Sequence, residues 1–335
     1  MKFNIQQTEL NTALQHLVRN TDNKFFADIK LTTGVNSLVL QATNGEVSME
    51  YRLQADTTDT DTILINARKF TDIVSRLSGD ITFEDGVIKA GKSKLKIDLK
   101  RDEGYQFINT IEADTITLNI KELQTGIKNR LFACDTLSQN VLSGVCLNKD
   151  KIVTCNGNML ALYRLNEQLP FDTVILGNKL CQEILKCFND ETVQISMTNN
   201  KVMLKSDKIT LVGSLLQGSY PNYKVLIPQP RYNVKFVKNE ILKTLDIIKL
   251  TTDKNICYFN FDGDKLTIGT KDGSSEIDIK YNNEPMKIWF NINYMSDCLK
   301  NISSDIVNFG FIAPLNACII EAGNEKTLIM PVKNS

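Results

Sequence analysis

Side chains able to carry out acid–base or covalent chemistry are few in this sequence, and none is spaced for it. The only histidine, His16, borders the apolar face of a helix-period segment, so a Ser-His or Cys-His pair would have to be built on it alone. It reads as a residue at the solvent edge of a helix. Eight cysteines stand at Cys134, Cys146, Cys155, Cys181, Cys187, Cys257, Cys298 and Cys318, with no Cys-x-x-Cys among them. Several fall at apolar positions of periodic segments, which reads as reduced core thiols and not as metal ligands or disulfides. There is no Gly-x-x-x-x-Gly-Lys-Ser/Thr loop, no His-Glu-x-x-His, no Gly-x-Ser-x-Gly elbow and no paired-carboxylate motif. Asp262-Gly-Asp264 resembles a fragment of a metal loop, but the downstream ligands of an EF-hand are absent. Between Tyr258-Phe-Asn-Phe261 and Leu266-Thr-Ile268 it reads as a hairpin turn. These residues point to a binding or scaffold protein, with no cofactor, no metal and no catalysis.

The elements that hold them are repeated. Ala42-Thr-Asn-Gly-Glu-Val-Ser-Met-Glu-Tyr-Arg-Leu53 matches Thr154-Cys-Asn-Gly-Asn-Met-Leu-Ala-Leu-Tyr-Arg-Leu165, and a weaker third copy is Thr270-Lys-Asp-Gly-Ser-Ser-Glu-Ile-Asp-Ile-Lys-Tyr281. The turns at Asn44, Asn156 and Asp272 are 112 and 116 residues apart, so three units account for nearly all of the 335 residues. That size suits domains of about 100 to 150 residues, divided as 1–114, 115–231 and 232–335.

Each unit opens with a strand that runs into an amphipathic helix. After Phe3-Asn-Ile5 comes Thr8 as the expected N-cap, then Leu10, Ala13, Leu14, Leu17 and Val18 at helical spacing. Leu123, Ile127 and Leu131 repeat the stripe, with Lys121, Lys128 and Arg130 off it; Ile241, Leu245 and Ile248 do so a third time. A second helix is expected over 68–77, 179–188 and 294–302, and the segments between alternate in period 2 around turns such as Asp85-Gly86. The fold class is therefore α+β, two helices covering antiparallel sheets in each unit. Gly218-Ser-Tyr-Pro-Asn-Tyr-Lys-Val-Leu-Ile-Pro228 combines two prolines with apolar residues that water should not keep, and reads as a packed crossing between domains.

Hydrophobic residues make up 42% and charged residues 23%, and 39 basic residues balance 39 acidic ones. No window approaches a membrane span and the first residues have no signal-peptide core, so the expected compartment is the cytoplasm. Zero net charge excludes a binder that holds nucleic acid by bulk positive charge, and leaves room for charge gathered on one face.

Met1-Lys-Phe-Asn-Ile5, Ala67-Arg-Lys-Phe-Thr-Asp-Ile-Val-Ser-Arg-Leu77, the Gly218–Pro228 stretch and Ile329-Met-Pro-Val-Lys333 together resemble the bacterial DNA polymerase III beta subunit family, the sliding clamps. The resemblance runs the length of the chain in order. It implies three tandem repeats of the DNA clamp fold, a ring made by a head-to-tail homodimer, and a processivity factor that encircles double-stranded DNA without reading its sequence. Partners would be the DNA polymerase III alpha subunit, the clamp loader and repair proteins. The alternative is a paralogue that no longer encircles DNA and acts as a peptide-binding adaptor.

Residue by residue, the resemblance assigns DNA contacts to Arg19, Lys24, Arg68, Arg76, Lys128 and Lys243. It assigns a pocket for Gln-Leu-x-Leu-Phe peptides to Leu142, Cys155, Gly157, Leu160, Pro221, Leu226, Ala317, Ile329, Met330, Pro331 and Val332. The dimer interface falls to Tyr105, Phe107 and Ile108. Two departures stand out. Where the family commonly has Thr-Asp-Gly-His-Arg-Leu, this chain has Cys155-Asn-Gly-Asn-Met-Leu160, and the family's Phe-Pro-x-Leu appears as Tyr105-Gln-Phe-Ile108.

Overall fold

Helices in this chain begin where strands end. The computed structural model describes residues 1–21, 25–102, 104–107, 111, 113–138, 140–169 and 171–333. Its six α-helices are α1 (Gln7–Leu17), α2 (Ala67–Ser75), α3 (Ile120–Lys128), α4 (Asn178–Cys187), α5 (Lys238–Lys249) and α6 (Ile292–Lys300). Apart from α4, each starts on the residue after a strand. Thr8 is not the cap of α1. Gln6 occupies that position with no side-chain bond, and the Gln7 amide donates instead to the Gly79 carbonyl at 3.0 Å. The first amides of α2, α3, α5 and α6 likewise donate to Ala27, Glu191, Asp305 and Asn255. A carbonyl from a distant segment thus satisfies a donor that a Ser or Thr side chain would otherwise have to satisfy. The apolar stripes are buried as expected: Leu10, Ala13, Leu14 and Leu17 in α1, and Ile241, Leu245 and Ile248 in α5.

Contacts group the chain into two compact units, Met1–Gln124 with Gly177–Leu215, and Thr125–Leu176 with Leu216–Ser335. The first holds a four-stranded and a nine-stranded antiparallel sheet, the second an eight-stranded and a four-stranded one. Within the nine-stranded sheet, Val47–Gln54, the strand that follows the Asn44-Gly45 turn, pairs with Ile209–Ser214. Within the eight-stranded sheet, Met159–Arg164, which follows Asn156-Gly157, pairs with Glu325–Ile329. Gly45 and Gly157 both have positive φ (86° and 82°), which is why glycine stands in these turns. The third such strand, Ser274–Asp278, has one neighbour, Lys265–Gly269, and is the edge of its sheet; Ser93–Lys96 is an edge too.

Seven cysteines are buried and Cys155 is half-buried. Burial pushes the thiols of Cys134, Cys146, Cys257, Cys298 and Cys318 up to about 12, so they behave as small apolar groups. The turn at Asp262-Gly-Asp264 does join two paired strands, Ile256–Asp262 and Lys265–Gly269.

Arg130 departs from the sequence reading, which put it on the solvated face. Its side chain is fully buried. Nη2 bonds the Glu325 carboxylate at 3.2 Å and the Asn301 carbonyl at 2.7 Å, Nη1 the Leu162 carbonyl at 3.0 Å, and Nε the Asn129 carbonyl at 2.6 Å. Glu325 also accepts from the Ser303 amide and the Asn129 side chain. Burial lowers the pKa of Arg130 and the Glu325 charge opposes that shift. Three chain segments distant in sequence thus meet on one guanidinium. Removing one partner of a buried, hydrogen-bonded ion pair costs about 3–5 kcal/mol. Urea unfolding followed by the fluorescence of Trp289, the sole tryptophan and a member of the same unit, should show Arg130→Ala losing stability of that order. Adding Glu325→Gln should recover part of it, because the group left behind is then neutral.

Candidate functional site

Strand alternation in the second unit builds an apolar face from residues far apart in sequence. Leu160 stands opposite Leu328 and also opposite Cys155, so the three share one side of the sheet. Leu160 and Leu328 form a buried cluster with Cys146, Val153, Leu162 and Tyr223, and Cys155, Tyr220, Ile227 and Ala317 pack on it half-buried. Of the residues expected in a peptide pocket, the structure brings together Cys155, Leu160 and Ala317. Ile329 and its cross-strand neighbour Met159 point to the opposite side, into the large core around Phe259 and Phe309. Met330 is 40% exposed, and its amide donates to the Asn158 carbonyl at 2.9 Å, extending the ladder by one residue. The Val332 amide donates to the Trp289 carbonyl, so the Met330-Pro331-Val332 segment is held and not frayed. Leu142 is half-buried in a 3₁₀ turn, and Gly157 and Pro221 are exposed.

The Gly218–Pro228 stretch differs from its sequence reading in one respect. Tyr223 is buried, while Val225 is 75% and Leu226 49% exposed. Tyr223–Leu226 is a 3₁₀ turn with three residues per turn, so Leu226 falls on the side of Tyr223 and Val225 does not. Burial, then the neighbouring Cys146 and Asp150, push Tyr223 up to about 12. Sequence reasoning missed Tyr220, Tyr223, Ile227 and Leu328 as members of the cluster, although the alternation of Leu328 with Ile329 was there to be read.

The expected DNA-contacting residues lie in both units. Arg68 and Arg76 are exposed on and just after α2, and Lys128 and Lys243 are exposed on α3 and α5. Lys24 lies outside the described residues. Arg19 is committed within the protein: it bonds the Gln15 carbonyl at 3.0 Å and Glu183, a largely buried carboxylate of α4, at 3.4 Å. It borders a cavity of about 340 Å³ whose lining includes Lys179 and Lys186, two basic residues that the sequence reading did not single out. Of the residues expected at a subunit interface, Tyr105 turns its hydroxyl to the Gln41 carbonyl of its own unit, Phe107 is half-buried, and Ile108 lies outside the described residues.

Comparison with protein-family models matches residues 1–109 to the DNA polymerase III beta subunit, N-terminal domain, and residues 224–333 to the C-terminal domain of that subunit. The beta sliding clamps of Staphylococcus epidermidis and Staphylococcus aureus are 25% and 24% identical to this chain over 379 aligned positions, covering 99% of it and 99% of themselves. Among solved structures, the DNA polymerase III subunit beta of Pseudomonas aeruginosa matches with a TM-score of 0.92 at 19% identity, covering 100% of both chains. The beta chain from Streptococcus pneumoniae matches at 0.91 and 23% identity, covering 99% of this chain and 100% of that one. These structural likenesses carry the α+β clamp fold.

His16 is tied to this region of the first unit, its Nδ1 in hydrogen-bond contact with the Tyr51 hydroxyl. Burial, then the Arg19 charge, lower its pKa from 6.5, with Glu183 opposing. A histidine whose folded pKa is depressed favours the neutral form in the native state. Stability is therefore full above about pH 6.5 and falls as the pH drops from there through the folded value. Because the chain has one histidine, its imidazole proton signal is unambiguous in an NMR titration, which should place the midpoint below 6.5. A midpoint at or above 6.5 would contradict the buried placement.

Proposed function

This chain belongs to the DNA polymerase III beta subunit family, and we propose that it is a sliding clamp. Two copies join head to tail in a ring around duplex DNA, which tethers the polymerase by topology and without catalysis. Each copy contributes three repeats, 1–114, 115–231 and 232–335. Arg19, Lys24, Arg68, Arg76, Lys128 and Lys243 face phosphates and read no bases. The apolar face around Leu160, Leu226 and Met330 takes short peptides of the polymerase, the loader and repair proteins. A cytoplasmic location goes with that role; among the described residues no helix is long and apolar enough to cross a membrane.

The ring reading rests on strand register. Ser48 pairs with Val212 and Leu160 with Leu328, and these are the same register one repeat apart. Carried one repeat further, it sets Ser274–Asp278 against Ser93–Lys96 of a second copy, with Glu276 opposite Lys96, Ile277 opposite Leu95 and Asp278 opposite Lys94. One edge is then acidic and the other basic, and Leu95, 40% exposed on an open edge, gains an apolar neighbour. Such a joint is heterologous and closes when its rotation permits. Phe107 and Ile108 are assigned to the same interface by the family pattern.

Charge reversal tests the joint. Like charges placed across an interface cost several kcal/mol, so Lys94→Glu with Lys96→Glu should weaken the dimer at least about tenfold in sedimentation velocity, as should Glu276→Lys with Asp278→Lys. Mixed in equal amounts, the two altered chains should dimerise again, because both joints of the mixed ring are complementary. Reversed chains that dimerise undisturbed, or an unaltered chain that stays monomeric, would count against the ring and for an adaptor.

A further inference from the structure

The apolar face in the second unit presents no charged side chain to a bound segment. Its floor is Leu160, Leu328 and Cys155, and its rim is Leu226, Ala317 and Met330. The tyrosine beneath, Tyr223, is neutral at physiological pH because burial holds its hydroxyl protonated. The charges nearest in sequence are accounted for. Asp150 is met by Lys151 at 3.0 Å and by Arg164 at 3.0 Å, and Glu321 by Lys326 at 3.0 Å. Lys224 sits one residue after Tyr223 in a turn of three residues per turn, so it projects away from the side that Tyr223 and Leu226 share. Asn158, the polar residue at the corner beside Met330, already directs its amide to the Tyr294 hydroxyl at 3.5 Å. Met159, the next residue, is turned into the opposite core and contributes nothing to the rim.

We propose that this site selects uncharged segments, that apolar anchors alone set its affinity, and that acidic residues in or beside the partner motif add nothing. The proposal rests on the peptide-site reading above and specifies what that site accepts. Burial of apolar surface is little affected by simple salt at moderate concentration, whereas ion pairs at an exposed rim are screened over about 10 Å at 0.1 M salt. Specificity in this site is then a matter of shape, without the attraction between opposite charges that steers partners elsewhere.

The test is calorimetric titration of the full chain with two peptides, Gln-Leu-Ser-Leu-Phe and Gln-Leu-Asp-Leu-Phe, at about 0.05 M and about 0.5 M NaCl, where screening differs strongly. The expected result is that the neutral peptide binds with a Kd that changes less than about twofold with salt, and that the acidic peptide binds no tighter than the neutral one. Met330→Lys, at an exposed position that leaves the core intact, should then make the acidic peptide several-fold tighter at low salt only. An acidic peptide that is already tighter on the unaltered chain, or a neutral peptide that weakens more than about fivefold with salt, overturns the inference and leaves the peptide site standing. Absence of binding by both peptides overturns the peptide site and the inference together.

Discussion

One constraint organises this protein: the strand that follows each Asn-Gly or Asp-Gly turn must pair with the closing strand of another repeat. Val47–Gln54 finds Ile209–Ser214, and Met159–Arg164 finds Glu325–Ile329. Those two ladders turn what would be small separate sheets into a nine-stranded and an eight-stranded sheet. They also leave Ser274–Asp278 and Ser93–Lys96 as open edges. Unpaired edges that carry an exposed leucine invite association, and here their charges make the association selective for each other. Joining copies of the chain is thus the continuation of the rule that joins its repeats.

The second ladder also makes the apolar face. Leu160 and Leu328 lie on one side of it, Met159 and Ile329 on the other, so a single strand pair serves both a binding surface and a core. The Arg130–Glu325 pair braces the same ladder from within, since Glu325 begins one of its strands and Leu162 lies in the other. The corresponding positions of the first ladder carry Thr43, Ser48 and Val212. There the Ser48 hydroxyl donates to Thr43 at 2.7 Å, and Ile111 covers Val212. Polar pairing and a covering side chain close the place where the second ladder is open, which is why one chain has one such face and not two.

Much of the architecture was legible in the sequence because it is local. Hairpin turns announce themselves by glycine, helices by apolar spacing, and the repeat by Asn-Gly followed by Tyr-Arg-Leu. What failed to show depends on partners far away in the chain. The Gln7 amide is capped by Gly79, Arg130 is neutralised by Glu325, and Arg19 is held by Glu183; in each case the deciding group lies 72 to 195 residues off. Arginine spaced off an apolar stripe looks the same in sequence whether it meets water or a buried carboxylate. The peptide face was partly legible: Leu160 and Cys155 could be placed, but Ile329 was put on it although alternation assigns Leu328 instead. The exposure of Leu226 could not be read at all, since its neighbour Tyr223 has the same apolar character and is buried.

The most direct measurement is electron microscopy of the purified full chain at a concentration where it is dimeric. The account predicts annular particles of two copies, with the first repeat of each copy against the third repeat of the other and a channel wide enough for a duplex of about 20 Å, so that a bound helix could be read through its phosphates alone. Isolated single copies, or pairs joined through like repeats with no channel, would contradict it.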